Sequence, residues 1–152
     1  QAPLMKAEGT GSVYFAGGGR KITVLELGAD DSITVNGVNV LAFEDSVSWD
    51  IEAMRSLSSM IAGGTFNVGL RGPGDVAIAT GASPLTLPVR PGSPLRTDPG
   101  ATVLWSRSLE PSVSTDFGTR SLLGRYSGEE VQLEFSGGDG FVVIQSKETA
   151  HL

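Results

Sequence analysis

Leu25-Glu26-Leu27, Asn36-Gly37 and Leu41-Ala42-Phe43 lie over Leu87-Pro88-Val89, Asp98-Pro99 and Val103-Leu104-Trp105 at a constant offset of 62 residues (25 to 87). Self-similarity at a fixed period signals a duplicated structural unit. Two copies of one unit predict a scaffold whose faces bind or assemble, rather than a cleft built round a unique catalytic cluster. Ser46 and Val47 likewise lie over Ser108 and Leu109. A G-x-G turn precedes an apolar segment three times, at Gly9-Thr10-Gly11-Ser12-Val13, Gly72-Pro73-Gly74-Asp75-Val76 and Gly138-Asp139-Gly140-Phe141-Val142. The expected organisation is a first β repeat at 4–64, a second at 65–129, and a closing hairpin and tail at 130–152. A lone hairpin is marginal in water, so that last piece is expected to close the sheet of another copy.

Period-two alternation marks half-buried strands: Ile33 and Val35; Val38, Val40 and Ala42; Val47, Trp49 and Ile51; Phe66, Val68 and Leu70; Val76 and Ile78. The second half continues with Leu85, Leu87 and Val89, Val103 and Trp105, Val131, Leu133 and Phe135, and the run Phe141-Val142-Val143-Ile144. Gly17-Gly18-Gly19, Asn36-Gly37, Asp98-Pro99-Gly100 and Gly137-Gly138-Asp139-Gly140 separate them with residues that favour turns. Charged residues are 18% and glycines number 21, a composition suited to short strands joined by tight turns. The chain reads as all-β, a sandwich or small barrel. Met54, Leu57 and Ile61 have helical spacing within 52–61, where a short helix and an ordered loop are both open readings. Trp49 and Trp105 are read as core residues, with an exposed anchor as the lesser reading.

Several chemistries are excluded. With no cysteine, disulfides, thiolate zinc sites and cysteine nucleophiles are absent. His151 is the one histidine and sits beside the C-terminus, so a multi-histidine metal centre cannot be built and a Ser-His-Asp triad is not expected. A net charge of -6 opposes a phosphate-backbone surface: DNA is not an expected partner and RNA is disfavoured. No apolar run reaches the roughly 20 residues of a transmembrane helix.

The remaining motifs have bland readings. The G-x-G turns lack the strand-before, helix-after context of a dinucleotide fingerprint. Gly17-Gly18-Gly19-Arg20-Lys21 is a hairpin tip before it is an anion nest. Asp30-Asp31 lacks the alternating ligands of a calcium loop.

Leu41-Ala42-Phe43-Glu44-Asp45-Ser46, Gly72-x-Gly74-x-Val76, Arg125-Tyr126-Ser127-Gly128-Glu129 and Gly140-Phe141-Val142-Val143-Ile144-Gln145-Ser146-Lys147-Glu148 occur in this order along nearly the whole chain. In these the chain resembles the mitochondrial biogenesis family named after altered inheritance of mitochondria protein 24. The resemblance implies the fold of the tryptophan RNA-binding attenuation protein: duplicated short double-stranded β-helices or β-sandwich repeats in a pseudo-threefold arrangement. It also implies a further N-terminal repeat missing before residue 1, whose loss exposes an edge. Arg125, Glu129, Gln145 and Glu148 match the family pattern near the closing strands; they are expected to tie down the last hairpin and are the ligand-binding candidates.

The expected function is a non-enzymatic binding or assembly module in the bacterial cytoplasm, acting as a homo-oligomer or with a protein partner. No catalytic residue, metal or cofactor is expected. A small-molecule- or RNA-binding ring is the alternative, and an enzyme of unknown type the least supported reading.

Overall fold

The computed structural model describes residues 4–52, 66–115 and 131–146. Among these are β1 (Lys21–Leu27), β2 (Ser32–Asn36), β3 (Val40–Phe43), β4 (Ser48–Glu52), β5 (Asn67–Arg71) and β6 (Gly74–Thr80). They continue with β7 (Leu85–Val89), β8 (Leu95–Thr97), β9 (Thr102–Ser106), β10 (Ser112–Thr115), β11 (Val131–Phe135) and β12 (Gly140–Ile144). A 3-10 turn, Gly37–Asn39, precedes β3. The fold is all-β. The segment with helical spacing lies outside the described residues, apart from its first residue at the end of β4.

Among the described residues three antiparallel sheets form, ordered β1-β6-β3, β10-β11-β8 and β4-β5-β2-β9-β12-β7. Neighbouring residues of a strand face opposite sides of its sheet. Leu104 and Val143 join a core with Val35, Val68, Leu70, Val76 and Ile78. The adjacent Trp105 and Val142 join a second core with Val89, Leu109, Leu133 and Phe135. The six-stranded sheet is therefore the middle layer, with one core on each face. This accounts for the unbroken apolar run in β12: where both faces are covered, alternation disappears. Each fully buried Val, Leu or Phe contributes about 1.5–3 kcal/mol.

The pairings follow one scheme twice. β6 lies between β1 and β3 while β5 lies between β2 and β4. In the same way β12 lies between β7 and β9 while β11 lies between β8 and β10. Even the irregularities match. The β3·β6 register skips Leu41 between Val40 and Ala42, and the β9·β12 register skips Val103 between Thr102 and Leu104. The two six-strand sets join where β2 pairs with β9, opposing Ile33 to Ser106, Thr34 to Trp105 and Val35 to Leu104. By hydrogen bonding β5 and β6 complete the set begun by β1, and β11 and β12 complete the set begun by β7.

The G-x-G turns gain a steric reason. A Cβ on Gly74 (φ +142) would meet Ser46 Oγ at 2.5 Å and Val47 Cγ2 at 2.8 Å; one on Gly140 would meet Ser106 Cβ at 2.9 Å and Leu109 Cδ1 at 3.1 Å. In both places the hairpin passes directly beneath the chain that follows β3 or β9. Gly74→Ala is expected to cost about 1–2 kcal/mol by overpacking a tight contact, read as a lowered denaturation midpoint at unchanged m-value.

Candidate functional site

β3 and β9 occupy equivalent places in the pairing scheme but differently covered ones. Thr102, Val103, Leu104 and Trp105 of β9 are buried, because β12 flanks one edge and β2 the other. Val40, Leu41, Ala42 and Phe43 of β3 are each only half-buried; β6 flanks one edge, and among the described residues no strand flanks the other. An unpaired strand edge with apolar side chains is a template for further pairing.

Apolar groups lie beside this edge and elsewhere on its sheet. Val38, in the turn before β3, is 56% exposed, and Trp49 on β4 is 45% exposed with its ring 6.4 Å from that of Phe43. Trp105 is core, as expected, stacked at a tilt against Phe135 at 5.6 Å. Trp49 is not core: among the described residues β4 is the terminal strand of its sheet, and the indole is left exposed. On the outer face of the β1-β6-β3 sheet, Ile22 opposes Ala79 and Val24 opposes Ala77, with both β1 side chains exposed. Ahead of β1, Val13, Tyr14 and Phe15 follow the first G-x-G turn, are exposed and belong to no strand. The corresponding segments after Gly72-x-Gly74 and Gly138-x-Gly140 are β6 and β12.

Polar groups fix the ends of the edge. Glu44 Oε2 accepts from Asp75 N–H at 3.0 Å, and in the equivalent place Ser106 Oγ accepts from Phe141 N–H at 3.0 Å. Hydrogen bonds to Glu8 and Asp45 raise the Lys6 amine above its usual range and hold the N-terminal segment near the β3–β4 turn. Arg20 donates to the carbonyls of Gly17 and Val38 at 3.1 and 2.7 Å, so the guanidinium beside the glycine run braces the backbone. Asp31 Oδ2 accepts from Gly28 N–H at 2.8 Å, closing the β1–β2 turn.

The junction between the two six-strand sets carries a bidentate ion pair. Arg107 donates to Asp50 Oδ1 and Oδ2 at 2.6 and 2.8 Å, above Gly69. The Arg107 hydrogen bond holds the Asp50 carboxyl below its ordinary 3.8. Because the folded value is depressed, this contribution is complete above the unfolded pKa and fades as pH falls through the folded one. Both partners are partly exposed, so it amounts to about 1 kcal/mol or less. Asp50→Asn is expected to lose that increment at pH 7 and to flatten the fall in thermal midpoint below about pH 4, measured by melts from pH 3 to 7.

Of the four polar candidates from sequence, Gln145 is placed and Arg125, Glu129 and Glu148 lie outside the described residues. Gln145 N–H donates to Ala101 O at 2.8 Å, and its Oε1 accepts from Gly81 N–H at 2.8 Å. It thereby ties the end of β12 to the β8–β9 turn and the β6–β7 connection. Among the described residues no group of three or more His, Asp or Glu side chains is arranged to hold a metal, and no helix is long and apolar enough to cross a membrane.

The profile of the family described as mitochondrial biogenesis AIM24 matches residues 2–147. No curated protein matches significantly. The crystal structure of protein SPYM3_0169 from Streptococcus pyogenes is similar, with a TM-score of 0.63 and 28% identity over 83% of this chain. The chain spans about half of that protein, 54% of its length. A match over nearly every residue, together with this likeness of fold, shows that the chain belongs to the mitochondrial biogenesis AIM24 family.

Proposed function

We propose that this protein is a non-enzymatic binding and assembly module, built of two equivalent six-strand sets, whose working surface is the open edge of β3. The observation that carries this reading is the contrast between β9, buried from Thr102 to Trp105 between β2 and β12, and β3, half-buried throughout at the same point of the pairing scheme. Exposed Val38 and Trp49 beside it extend the apolar surface. A neighbouring β unit covering the edge would satisfy its backbone and bury these side chains together. Arrangement of such units about a pseudo-threefold axis is part of this proposal, as is the division into repeats. The bacterial cytoplasm is the proposed setting, a reading supported by the bacterial source of the similar solved protein.

The test is a broad hydrolase, transferase and oxidoreductase screen on purified protein. No turnover above a heat-treated control is expected. Reproducible turnover abolished by substituting Glu44 and Asp45, the carboxylates beside the edge, would overturn the reading.

A further inference from the structure

The pairing scheme names the partner for the β3 edge, and the same molecule carries it. At the internal junction, β2 supplies three residues, Ile33, Thr34 and Val35, to the edge of β9. The strand equivalent to β2 in the second set is β8: Leu95 opposes Phe135 as Ile33 opposes Leu70, and Thr97 opposes Leu133 as Val35 opposes Val68. β8 consists of Leu95, Arg96 and Thr97, the counterparts of the three residues that the junction uses. It pairs with β11 on one side, and among the described residues no strand pairs with its other side. Among the described residues, each chain thus holds one joined junction, one donor edge at β8 that no further strand joins and one acceptor edge at β3 that no further strand joins.

Resting on the assembly reading, we propose that a second copy of this chain docks head-to-tail, laying its β8 antiparallel along β3 with Leu95 opposite Glu44, Arg96 opposite Phe43 and Thr97 opposite Ala42. The register is that of the internal junction, where Ile33 opposes Ser106, Thr34 opposes Trp105 and Val35 opposes Leu104. Backbone chemistry permits it. The junction is closed by Arg107 N–H donating to Ser32 O at 3.1 Å. The equivalent bond runs from Asp45 N–H to the carbonyl of Pro94, and proline keeps its carbonyl. Charge is complementary: Arg96, which already holds Glu134 at 2.7 Å, arrives beside the acidic Glu44–Asp45 turn. Because donor and acceptor are different surfaces, the contact is heterologous, and each added copy leaves one edge of each kind at the ends.

The chain has no cysteine, so the register can be read by cross-linking without background. Arg96→Cys and Phe43→Cys are made as separate proteins, each checked by thermal melt, and oxidised alone and as an equimolar mixture. Facing cysteines at antiparallel partner positions fall within disulfide reach. A covalent 1:1 dimer in the mixture, lost in each protein alone, is expected. Leu95→Cys with Glu44→Cys repeats the test at the neighbouring pair should Phe43→Cys fail to fold, Glu44 being exposed. Light scattering of the unaltered chain should show mass rising with concentration. Absence of the mixed dimer from a folded pair, equal cross-linking within a single variant, or the mass of one chain at every concentration would overturn the proposal. None of these bears on turnover, so a failed register and a failed assembly reading are told apart.

Discussion

Phe135→Ala should destabilise the protein by about 3–5 kcal/mol, the range for emptying a buried aromatic site. Phe135 has no exposed surface and is, among the described residues, the largest of the side chains buried to that degree. It lies against Trp105 and anchors β11, the strand that holds both β8 and β10. Little can collapse into the space, because Val89, Leu109, Leu133 and Val142 around it are held by separate strands. For a chain of this size the loss corresponds to roughly 10 °C in thermal midpoint. β9 and β12 contribute to both cores, so the second core cannot melt while the first persists. The expected calorimetric trace is one transition, moved to lower temperature; two separated transitions would contradict the shared-layer account. Phe135→Leu, which keeps most of the volume, should recover more than half of the loss.

Gly69→Val should cost about 3 kcal/mol, although valine is the better strand former. Gly69 is buried in β5, opposite Thr34 on β2 and Asp50 on β4. The Arg107 side chain crosses above it to reach Asp50. A Cβ at this position would overlap the Arg107 guanidinium and lie 2.8 Å from Asp50 Oδ1. Any side chain here must push the ion pair off the sheet. Double substitution separates steric from electrostatic effects: with Arg107→Ala in place, Gly69→Val should cost markedly less than it does alone, a coupling readable by chemical denaturation. Equal costs in both backgrounds would mean that the glycine serves the backbone and not the pair.

Much of the fold was legible because strands announce themselves locally. The alternation in Ile33-Thr34-Val35 and Val131-Gln132-Leu133-Glu134-Phe135, and the turn residues at Asn36-Gly37 and Asp98-Pro99-Gly100, appear where expected. What was not legible depends on which strands meet. Alternation tells which side of a strand Trp49 takes, but not whether another layer reaches that side; β4 ends its sheet, and the indole is left at the surface. The offset of 62 sets Phe43 over Trp105, yet one is half-buried and the other buried, since among the described strands β9 has a second neighbour and β3 has one. The candidate site suffered most from this. It is an edge, and edge status follows from the pairing order of strands far apart in sequence, not from the residues of the edge. Gln145 was found from its match to the family pattern near the closing strands, but its role in bracing two turns needed Gly81 and Ala101 to be brought beside it.

The position of β6 bears on how the chain is made. β6 is the last strand of its set, and both β1 and β3 depend on it as their neighbour. Lys21 has to wait for Thr80, and Leu27 for Gly74. A ribosome therefore releases β1 and β3 long before either has a partner, and no compact sheet can form from them until residue 80 is clear of the exit tunnel. β7 waits in the same way for β12. Pairing of first strand with last gives high contact order and slow folding, and it makes the half-synthesised chain, with its apolar β3 bare on both edges, the species most in need of a chaperone.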